Sequence, residues 1–255
     1  MDYPEFLGKL TAIRASGWVK THRPGDAGIG KTLEDLLGIA ENNVPGPDFE
    51  LHELKSGRKK GTSMLTLFSR TPQPKGVIGV MVAAFGYPSR KPETALATHR
   101  QSQLNGEVGQ TDATMGRSDL ELHVTADTLR TNSVGLKLEV VGQRVSIQNS
   151  KGVTAYYSPD YLREAFQRKY GHALVYVLAE NRGAGAAEEF WFQDATLLSG
   201  FSFEGFLHLV EQGVVKLDIR VGHFPDGRPH DHGTGFRVFP RDLPRCFQSI
   251  TPILT

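Results

Sequence analysis

The chain has 255 residues and a formal net charge of +1, and this length suffices for one large domain or for two lobes with a buried core. The near-zero charge excludes a global basic field, so any contact with nucleic acid has to come from local patches in a cleft. The single cysteine, Cys246, excludes an internal disulfide and is typical of a reducing cytoplasm.

Hydrophobic periodicity predicts alternating helices and strands in the first half of the chain. Apolar residues at helical spacing predict helices over residues 4–15 and 31–40. Strands are predicted at 51–56, 63–69, 77–83, 120–124, 135–141 and 143–148. The apolar run at 77–83 is typical of a strand at the centre of a sheet. Residues 86–117 are polar and predict a long surface excursion.

The second half of the chain continues the alternation. Ser158 as N-cap and Pro159 as first helical residue predict a helix over 158–170. Ser202 begins another helix, over 203–212, and Gly213 ends it. Strands are predicted at 173–179, 190–198, 214–221 and 235–240. The sequence therefore predicts an α/β fold with a mixed central sheet flanked by helices.

No segment is typical of targeting or of a membrane span. The N-terminus has no basic region followed by an apolar run, so no signal peptide is visible. The longest apolar run, at 77–85, is too short to cross a bilayer. We therefore expect a soluble cytoplasmic protein that has no membrane partner.

An acid, acid, lysine pattern lies at the first predicted strand. Glu53 and Lys55 are two residues apart, so their side chains leave the same face of a strand, and the turn at 45–47 can bring Asp48 back to that face. Two carboxylates beside a lysine form a hard oxygen site suited to Mg²⁺, for which Mn²⁺ is expected to substitute. The lysine can orient water or offset phosphate charge. This is the PD-(D/E)xK nuclease pattern, with Glu50 as a competing ligand if the strand begins with a bulge.

The alternative interpretation of this pattern is an ordinary strand whose charged side chains face the solvent. A different alternative is an ATP site, because residues 25–32 match the Walker A pattern G-x-x-x-x-G-K-[ST]. A phosphate-binding loop needs a buried strand immediately before its glycines. The preceding residues 20–24 are charged and end in proline, and no later segment supplies the aspartate for nucleotide Mg²⁺. The sequence therefore favours a turn that leads into a helix.

Three segments together resemble the MvaI/BcnI-type restriction endonucleases, which are related to the mismatch-repair nicking enzyme MutH. They are GIGKTLEDLLGI at 28–39, PDFELHELKSG at 47–57 and HDHGTGFR at 230–237, and the resemblance runs from about residue 17 to residue 247. It implies a PD-(D/E)xK (MutH-like) nuclease core with two lobes around a DNA cleft. Residues 1–150 would form the catalytic lobe with the metal site, and 151–255 the DNA-recognition lobe.

The resemblance also implies an activity and its partners. It implies a type II restriction endonuclease that hydrolyses double-stranded DNA at a short pseudopalindromic CC-x-GG site, as a monomer that nicks the strands in turn. A cognate DNA methyltransferase in the same bacterial or archaeal cell is implied genetically, not as a complex. The alternatives are a MutH-like strand-specific nicking enzyme of mismatch repair and a DNA-binding module with an inactive site.

Supporting residues of the catalytic site come partly from the resemblance. It implies that Glu34, on the second predicted helix, is a carboxylate beside the metal, the alternative being an exposed helix acid. In such sites the backbone carbonyl of Leu54 completes the coordination of the metal. The run Arg58-Lys59-Lys60 is interpreted as phosphate contacts, with a solvated turn as the alternative.

Candidate residues for base recognition lie in the second half of the chain. Asp218 and Arg220 share a face of the strand predicted at 214–221, and Arg220 is a natural bidentate partner for guanine. A polar loop follows, with the further candidates His230, Asp231, His232 and Arg237. The resemblance assigns this loop to base recognition. A structural hydrogen-bond cluster and a transition-metal site are the alternatives.

Overall fold

The computed structural model of the protein describes residues 1–39, 52–88, 120–224 and 227–254. The chain divides into two compact units. Unit 1 contains Met1–Leu65, Phe166–Phe206 and Phe239–Thr255, and unit 2 contains Thr66–Ala165 and Leu207–Val238. Each unit is built from separate stretches of the chain, and the predicted lobe boundary at residue 150 stays a prediction. The assignment of catalysis and recognition to separate lobes stays a prediction.

The bounds of the helices and strands agree with the sequence over most of the described chain. The helices are α1 (Tyr3–Ala15), α2 (Gly28–Leu37), α3 (Val77–Phe85), α4 (Pro159–Tyr170) and α5 (Phe203–Glu211), with 3-10 turns at Gly185–Ala187 and Pro240–Cys246. The strands are β1 (Val19–Lys20), β2 (His52–Arg58), β3 (Leu65–Ser69), β4 (Tyr87–Pro88), β5 (Leu120–Ala126), β6 (Lys137–Val141), β7 (Arg144–Gln148), β8 (Tyr156–Tyr157), β9 (Ala173–Arg182), β10 (Glu189–Ser199), β11 (Lys216–His223), β12 (Pro229–Asp231), β13 (Gly235–Val238) and β14 (Ser249–Leu254).

Unit 1 is built on a mixed sheet. Its strand order is β1-β10-β9-β2, and β14 pairs with β10 beside this path. Strand β2 runs parallel to β9, with Glu53 opposite Leu174 and Lys55 opposite Tyr176. The pairs of β10 with β1, β9 and β14 are antiparallel. The predicted α/β fold with a mixed sheet is therefore confirmed.

The core of unit 1 covers one face of this sheet. Leu54 of β2 packs there with Val175 and Val177 of β9 and with apolar residues of α1 and α2. Because side chains alternate across a strand, Glu53 and Lys55 leave the opposite face. Burial of Leu54 thus fixes the direction in which the acid and the lysine point.

Unit 2 contains two further sheets. The larger has the order β3-β13-β11-β5-β4, with β12 paired to β11, and the smaller has the order β6-β7-β8. Strand β11 is central, with β5 on one side and β13 on the other, both antiparallel. The candidate recognition residues of β11 are therefore held in the middle of a sheet.

One predicted strand is wrong. Residues 77–83 belong to helix α3, in which Val77, Met81, Val82 and Phe85 are buried while Val80 is 54% exposed. This burial follows a helical period, but a short run that is apolar throughout hides its period in the sequence. The sequence also missed β14 and four strands of two or three residues.

Two other expectations concern a long surface excursion and the absence of a membrane span. The surface excursion predicted at 86–117 falls almost wholly outside the described residues. In the part of the chain that the structure describes, no helix has the length and the apolar character needed to cross a membrane.

Candidate active site

The centre of the candidate site is a buried carboxylate between two lysines. The Glu53 side chain is only 4% exposed. The Lys55 Nζ donates to Glu53 Oε1 at 3.0 Å, and the Lys169 Nζ donates to Glu53 Oε2 at 3.0 Å. The structure thus confirms that Glu53 and Lys55 share a face of β2, and it adds a lysine that the sequence did not point to.

Helix α4 carries the second lysine, and its last turn is anchored by aromatic packing. Tyr170 is fully buried, with its ring centroid 5.5 Å from Phe166 and 5.0 Å from Phe201. Burial, followed by the nearby charge of Glu53, raises the pKa of Tyr170 well above its usual value. Lys169 directly precedes this anchor and is therefore held beside Glu53.

A buried tyrosine lies on the same face of the sheet. Tyr176 is opposite Lys55 in the parallel pair, and among the described residues its hydroxyl has no hydrogen-bond partner. Burial raises the pKa of Tyr176 to about 12. A Cβ on Gly57 would lie 2.3 Å from the Tyr176 hydroxyl, so a larger residue at that position of β2 requires the Tyr176 side chain to shift. No sequence pattern pointed to Tyr176.

The other predicted metal ligands stay predictions. Asp48 and Glu50 lie outside the described residues. Glu34 is half-buried on α2, and Leu54 is buried in the core, so the supporting role of the Glu34 carboxylate and the metal contact of the Leu54 carbonyl stay predictions. Over 1–39, 52–88, 120–224 and 227–254, no three His, Cys, Asp or Glu side chains are grouped so that they could hold a metal ion.

The Walker-like segment is part of the internal packing of unit 1. Buried Thr32 donates to the Gly28 carbonyl at 2.7 Å and accepts from the His22 backbone N–H at 3.0 Å. Lys31 pairs with Asp35 at 2.9 Å. A Cβ on Gly28 would lie 2.2 Å from the Arg23 carbonyl, so this glycine allows two backbone segments to approach. These contacts argue against a phosphate loop.

Two of the three residues in the basic run Arg58-Lys59-Lys60 form ion pairs within unit 1. Arg58 donates from Nε and Nη2 to the two oxygens of Glu188, both at 2.7 Å. This pairing raises the pKa of Arg58 and lowers that of Glu188. Lys59 pairs with Asp194 at 2.7 Å, and Lys60 is exposed. Phosphate contact by these three residues stays a prediction, and Arg58 in addition has a structural role.

Three of the predicted recognition residues meet on the central sheet of unit 2. Asp218 Oδ2 accepts from Arg220 Nε at 2.7 Å and lies 2.9 Å from Arg237 Nε. Burial lowers the pKa of Arg237, and the negative charge of Asp218 partly offsets this lowering. Arg220 is 44% exposed, so its guanidinium is oriented by the carboxylate and still accessible to a ligand.

In the predicted polar loop, Asp231 makes structural hydrogen bonds, and His230 and His232 contact each other. Asp231 Oδ1 accepts from the backbone N–H groups of Gly233 and Thr234 and so organises the turn, while Oδ2 accepts from the Thr71 hydroxyl. The ring of His232 lies 4.2 Å from that of His230. Base contact by these residues stays a prediction, and the structure favours a positioning role for Asp231.

A third histidine joins this group from a neighbouring strand. His123 of β5 lies opposite Arg220 of β11, and its ring is 6.0 Å from His232. Burial, followed by the charges of His230 and His123, lowers the pKa of His232. The sequence does not point to His123, because this residue lies about a hundred residues before the loop.

The comparison with known families decides the identity. The model of the MvaI/BcnI restriction endonuclease family matches residues 7–247. The chain belongs to the MvaI/BcnI restriction endonuclease family. It is therefore a type II restriction endonuclease, a site-specific deoxyribonuclease, and this part of the activity implied by the three sequence segments is confirmed.

Solved structures agree with this membership at the level of the fold. The structure titled "Restriction endonuclease MvaI-cognate DNA substrate complex" is 23% identical, covers 100% of both chains and has a TM-score of 0.79. That of MvaI in the absence of DNA is also 23% identical, covers 100% of this chain and 99% of that chain, and has a TM-score of 0.55. Both show the mixed α/β fold. No curated protein sequence matches this endonuclease significantly.

Proposed function

We propose that this restriction endonuclease hydrolyses phosphodiester bonds of double-stranded DNA in a Mg²⁺-dependent reaction at Glu53 and Lys55. The observation that carries the proposal is the contact between the Lys55 ammonium and the buried Glu53 carboxylate on one face of β2. A carboxylate is kept in such a buried place only with compensating partners, and such pairs concentrate at functional sites. Because the family consists of restriction endonucleases, we infer that the Glu53 and Lys55 pair serves the hydrolysis of phosphodiester bonds.

The residues present suit a hard divalent cation. Glu53 supplies carboxylate oxygens that already bind two positive groups, and carboxylate and carbonyl oxygens are the ligands that Mg²⁺ takes in proteins. We infer that Asp48, Glu53 and the Leu54 carbonyl hold Mg²⁺, or Mn²⁺ in its place, with Glu34 in support. When bound, the ion supplies a more acidic water and offsets negative charge at the phosphate.

Lys55 contributes its ammonium group to the reaction. Its side chain is 16% exposed, so the ammonium is confined and still reachable by a substrate phosphate. A confined charge in a partly dehydrated place stabilises developing negative charge more strongly than one in bulk water. We infer that Lys55 orients the attacking water and offsets charge on the phosphate. This follows the PD-(D/E)xK (MutH-like) arrangement.

We propose that Asp218, Arg220 and Arg237 read bases in a short pseudopalindromic site of the CC-x-GG kind. An Arg side chain recognises guanine best when its guanidinium is held in one plane, and Asp218 holds Arg220 in this way. His230 and His232 extend the same surface, which Asp231 organises. The MvaI structure with cognate DNA supports duplex DNA as the ligand.

We infer that the enzyme acts as a monomer that cuts the two strands in separate steps. One chain supplies one pair of Glu53 and Lys55, so a monomer cleaves one phosphodiester bond in each binding event. A pseudosymmetric site allows it to bind again in the opposite orientation. A cognate methyltransferase in the same cell is implied, because an unguarded nuclease would cleave the DNA of its host.

Plasmid digestion tests the proposal. Purified protein with Mg²⁺ is expected to give discrete fragments whose sequenced ends share a CC-x-GG site, and Lys55→Ala is expected to give none. Lys20→Ala, at an exposed lysine of β1, is the matched control and should cut normally. Nicked circles as the final product would instead favour a MutH-like nicking enzyme, and intact plasmid with every divalent cation would sink the proposal.

A further inference from the structure

Lys169 has no role in the reaction as proposed, although it binds the carboxylate at the centre of the site. Its Nζ lies 3.0 Å from Glu53 Oε2, while Lys55 takes Oε1 at the same distance. The two lysines thus occupy both oxygens of one buried acid. A single lysine would leave one of these oxygens without a cation.

A metal ion on Glu53 cannot simply be added to this arrangement. A divalent cation and an ammonium group on the same carboxylate oxygen repel each other, so one lysine has to give way. Lys55 is the more confined, with 16% of its side chain exposed, and it lies on the same strand as Glu53. Lys169 is 32% exposed and approaches from the end of α4, so it can withdraw toward solvent.

We propose that Lys169 is the resident cation of the metal site, a positioning residue that holds Glu53 Oε2 until the metal ion replaces it. This inference rests on the proposed function, which makes Glu53 a metal ligand. The ammonium offsets the cost of burying the Glu53 charge while no metal is bound. It also keeps the carboxylate in one orientation, so the ligand is preorganised.

If the ammonium and the metal ion compete for Glu53, removal of the ammonium should change the metal affinity in a predictable direction. If Lys169 competes for Glu53, Lys169→Met removes the competitor and retains most of the aliphatic stem. The affinity for Mn²⁺ without DNA, measured by titration calorimetry, is then expected to rise about threefold to tenfold. Lys169→Arg retains the charge and is expected to bind Mn²⁺ as the unmodified enzyme does.

The matched control lies in the same turn of the helix. Arg168 is exposed and adjacent to Lys169, so Arg168→Met removes an equal charge at nearly the same place in α4. The Mn²⁺ affinity of this variant is expected to stay unchanged. An equal rise in Arg168→Met and Lys169→Met would reduce the effect to general electrostatics and would overturn the proposal.

Three further outcomes separate this inference from the proposed function. Unchanged or weaker Mn²⁺ binding by Lys169→Met would mean that Lys169 only braces Glu53, and the inference would fail alone. No Mn²⁺ binding by the unmodified enzyme, together with no cleavage, would overturn the proposed function and the inference together. If Lys169→Met does not fold, the Lys169 Nζ signal in NMR spectra of the unmodified enzyme decides: it should shift as Mg²⁺ binds, and an unmoved signal would refute displacement.

Discussion

A single phenol on the face of the sheet that carries Glu53 gives the fold a dependence on alkaline pH. Burial raises the pKa of Tyr176 to about 12, against 10.0 for the ordinary group. The neutral form is therefore favoured in the folded protein, and the unfolded chain loses its proton first as the pH rises. The stability that Tyr176 contributes is complete below pH 10 and decreases between about pH 10 and pH 12.

Tyr176→Phe tests this dependence. The hydroxyl has no hydrogen-bond partner among the described residues, so its removal at pH 7 is expected to leave the free energy of unfolding unchanged or slightly higher. Between pH 10 and pH 12 the variant should lose less stability than the unmodified enzyme, by about 2 kcal/mol. Denaturant unfolding across this range measures both. Parallel pH curves would show that Tyr176 titrates normally.

Asp218 is the residue on which we expect recognition to depend. Asp218→Asn removes the charge that orients Arg220 and offsets Arg237. Cleavage of cognate duplexes is expected to fall about tenfold to a hundredfold, the value of a bidentate base contact, while cleavage of single-base variants falls less. Single-turnover rates on both kinds of duplex measure this change in discrimination.

A nearby ion pair supplies the control for Asp218. Asp127 pairs with Lys216 at 2.5 Å in the same unit. Burial opposes ionisation of Asp127, but hydrogen bonds from Lys216 and from the backbone N–H groups of Arg130 and Leu129 lower its pKa below the usual value. Asp127→Asn is expected to lower stability without changing discrimination. Equal losses on cognate and non-cognate duplexes for Asp218→Asn would mean that this carboxylate supports the fold rather than recognition.

At the scale of elements, the Tyr176 side chain of β9 packs over Gly57 of β2 in the candidate site. A Cβ on Gly57 would lie 2.3 Å from the Tyr176 hydroxyl oxygen and 3.1 Å from its ring carbon Cζ. Gly57→Ala is therefore expected to lower the free energy of unfolding by about 1 to 3 kcal/mol. In a Tyr176→Phe background about 1 kcal/mol of that loss should return. Denaturant unfolding of the two single variants and the double variant measures the coupling.

Gly30→Ala is the matched change for this cycle. The nearest atom to a Cβ at Gly30 is the Ser56 hydroxyl at 3.9 Å, so the added methyl group has room. Alanine also favours helix, so α2 should be unchanged or more stable by up to about 1 kcal/mol. Additive losses for Gly57→Ala and Tyr176→Phe would refute the contact between the two strands.

The elements also show which features the sequence could predict. The sequence predicts that Glu53 and Lys55 share one face, because alternation along a strand is a local rule, and β2 obeys it. The sequence does not predict helix α3, because residues 77–83 are apolar apart from one glycine and contain no polar residue that would reveal a helical period. Lys169 lies 116 residues beyond Glu53, and only the fold brings the two together.

The candidate recognition residues of unit 2 likewise include contacts that the sequence could predict and contacts that depend on the whole fold. Asp218 and Arg220 were placed on one face by their spacing, and the contact between them confirms that placement. The hydrogen bonds of Asp231 to the turn could not be deduced, because they depend on the conformation of Gly233, whose φ is 98°. His123 was likewise missed because strand order is a property of the whole sheet.

For the whole molecule, the proposed action as a monomer predicts an intermediate. Supercoiled plasmid with one target site is expected to become nicked circles first and linear DNA later, because a monomer would cleave one strand in each binding event. Agarose gels of a time course at limiting enzyme measure the order of products. Direct conversion to linear DNA, with a rate that rises as the square of enzyme concentration, would instead indicate a dimer.

The order of the strands in the unit 1 sheet has a consequence for how the enzyme is made. Strand β2 finds its parallel neighbour only at Ala173–Arg182, and β14, at the end of the chain, still has to pair with β10. A ribosome releases the chain from its N-terminus, so a nascent chain exposes Glu53 and Lys55 long before either has its surroundings. Products that terminate before Ala173 therefore carry Glu53 and Lys55 without the parallel strand that completes their surroundings.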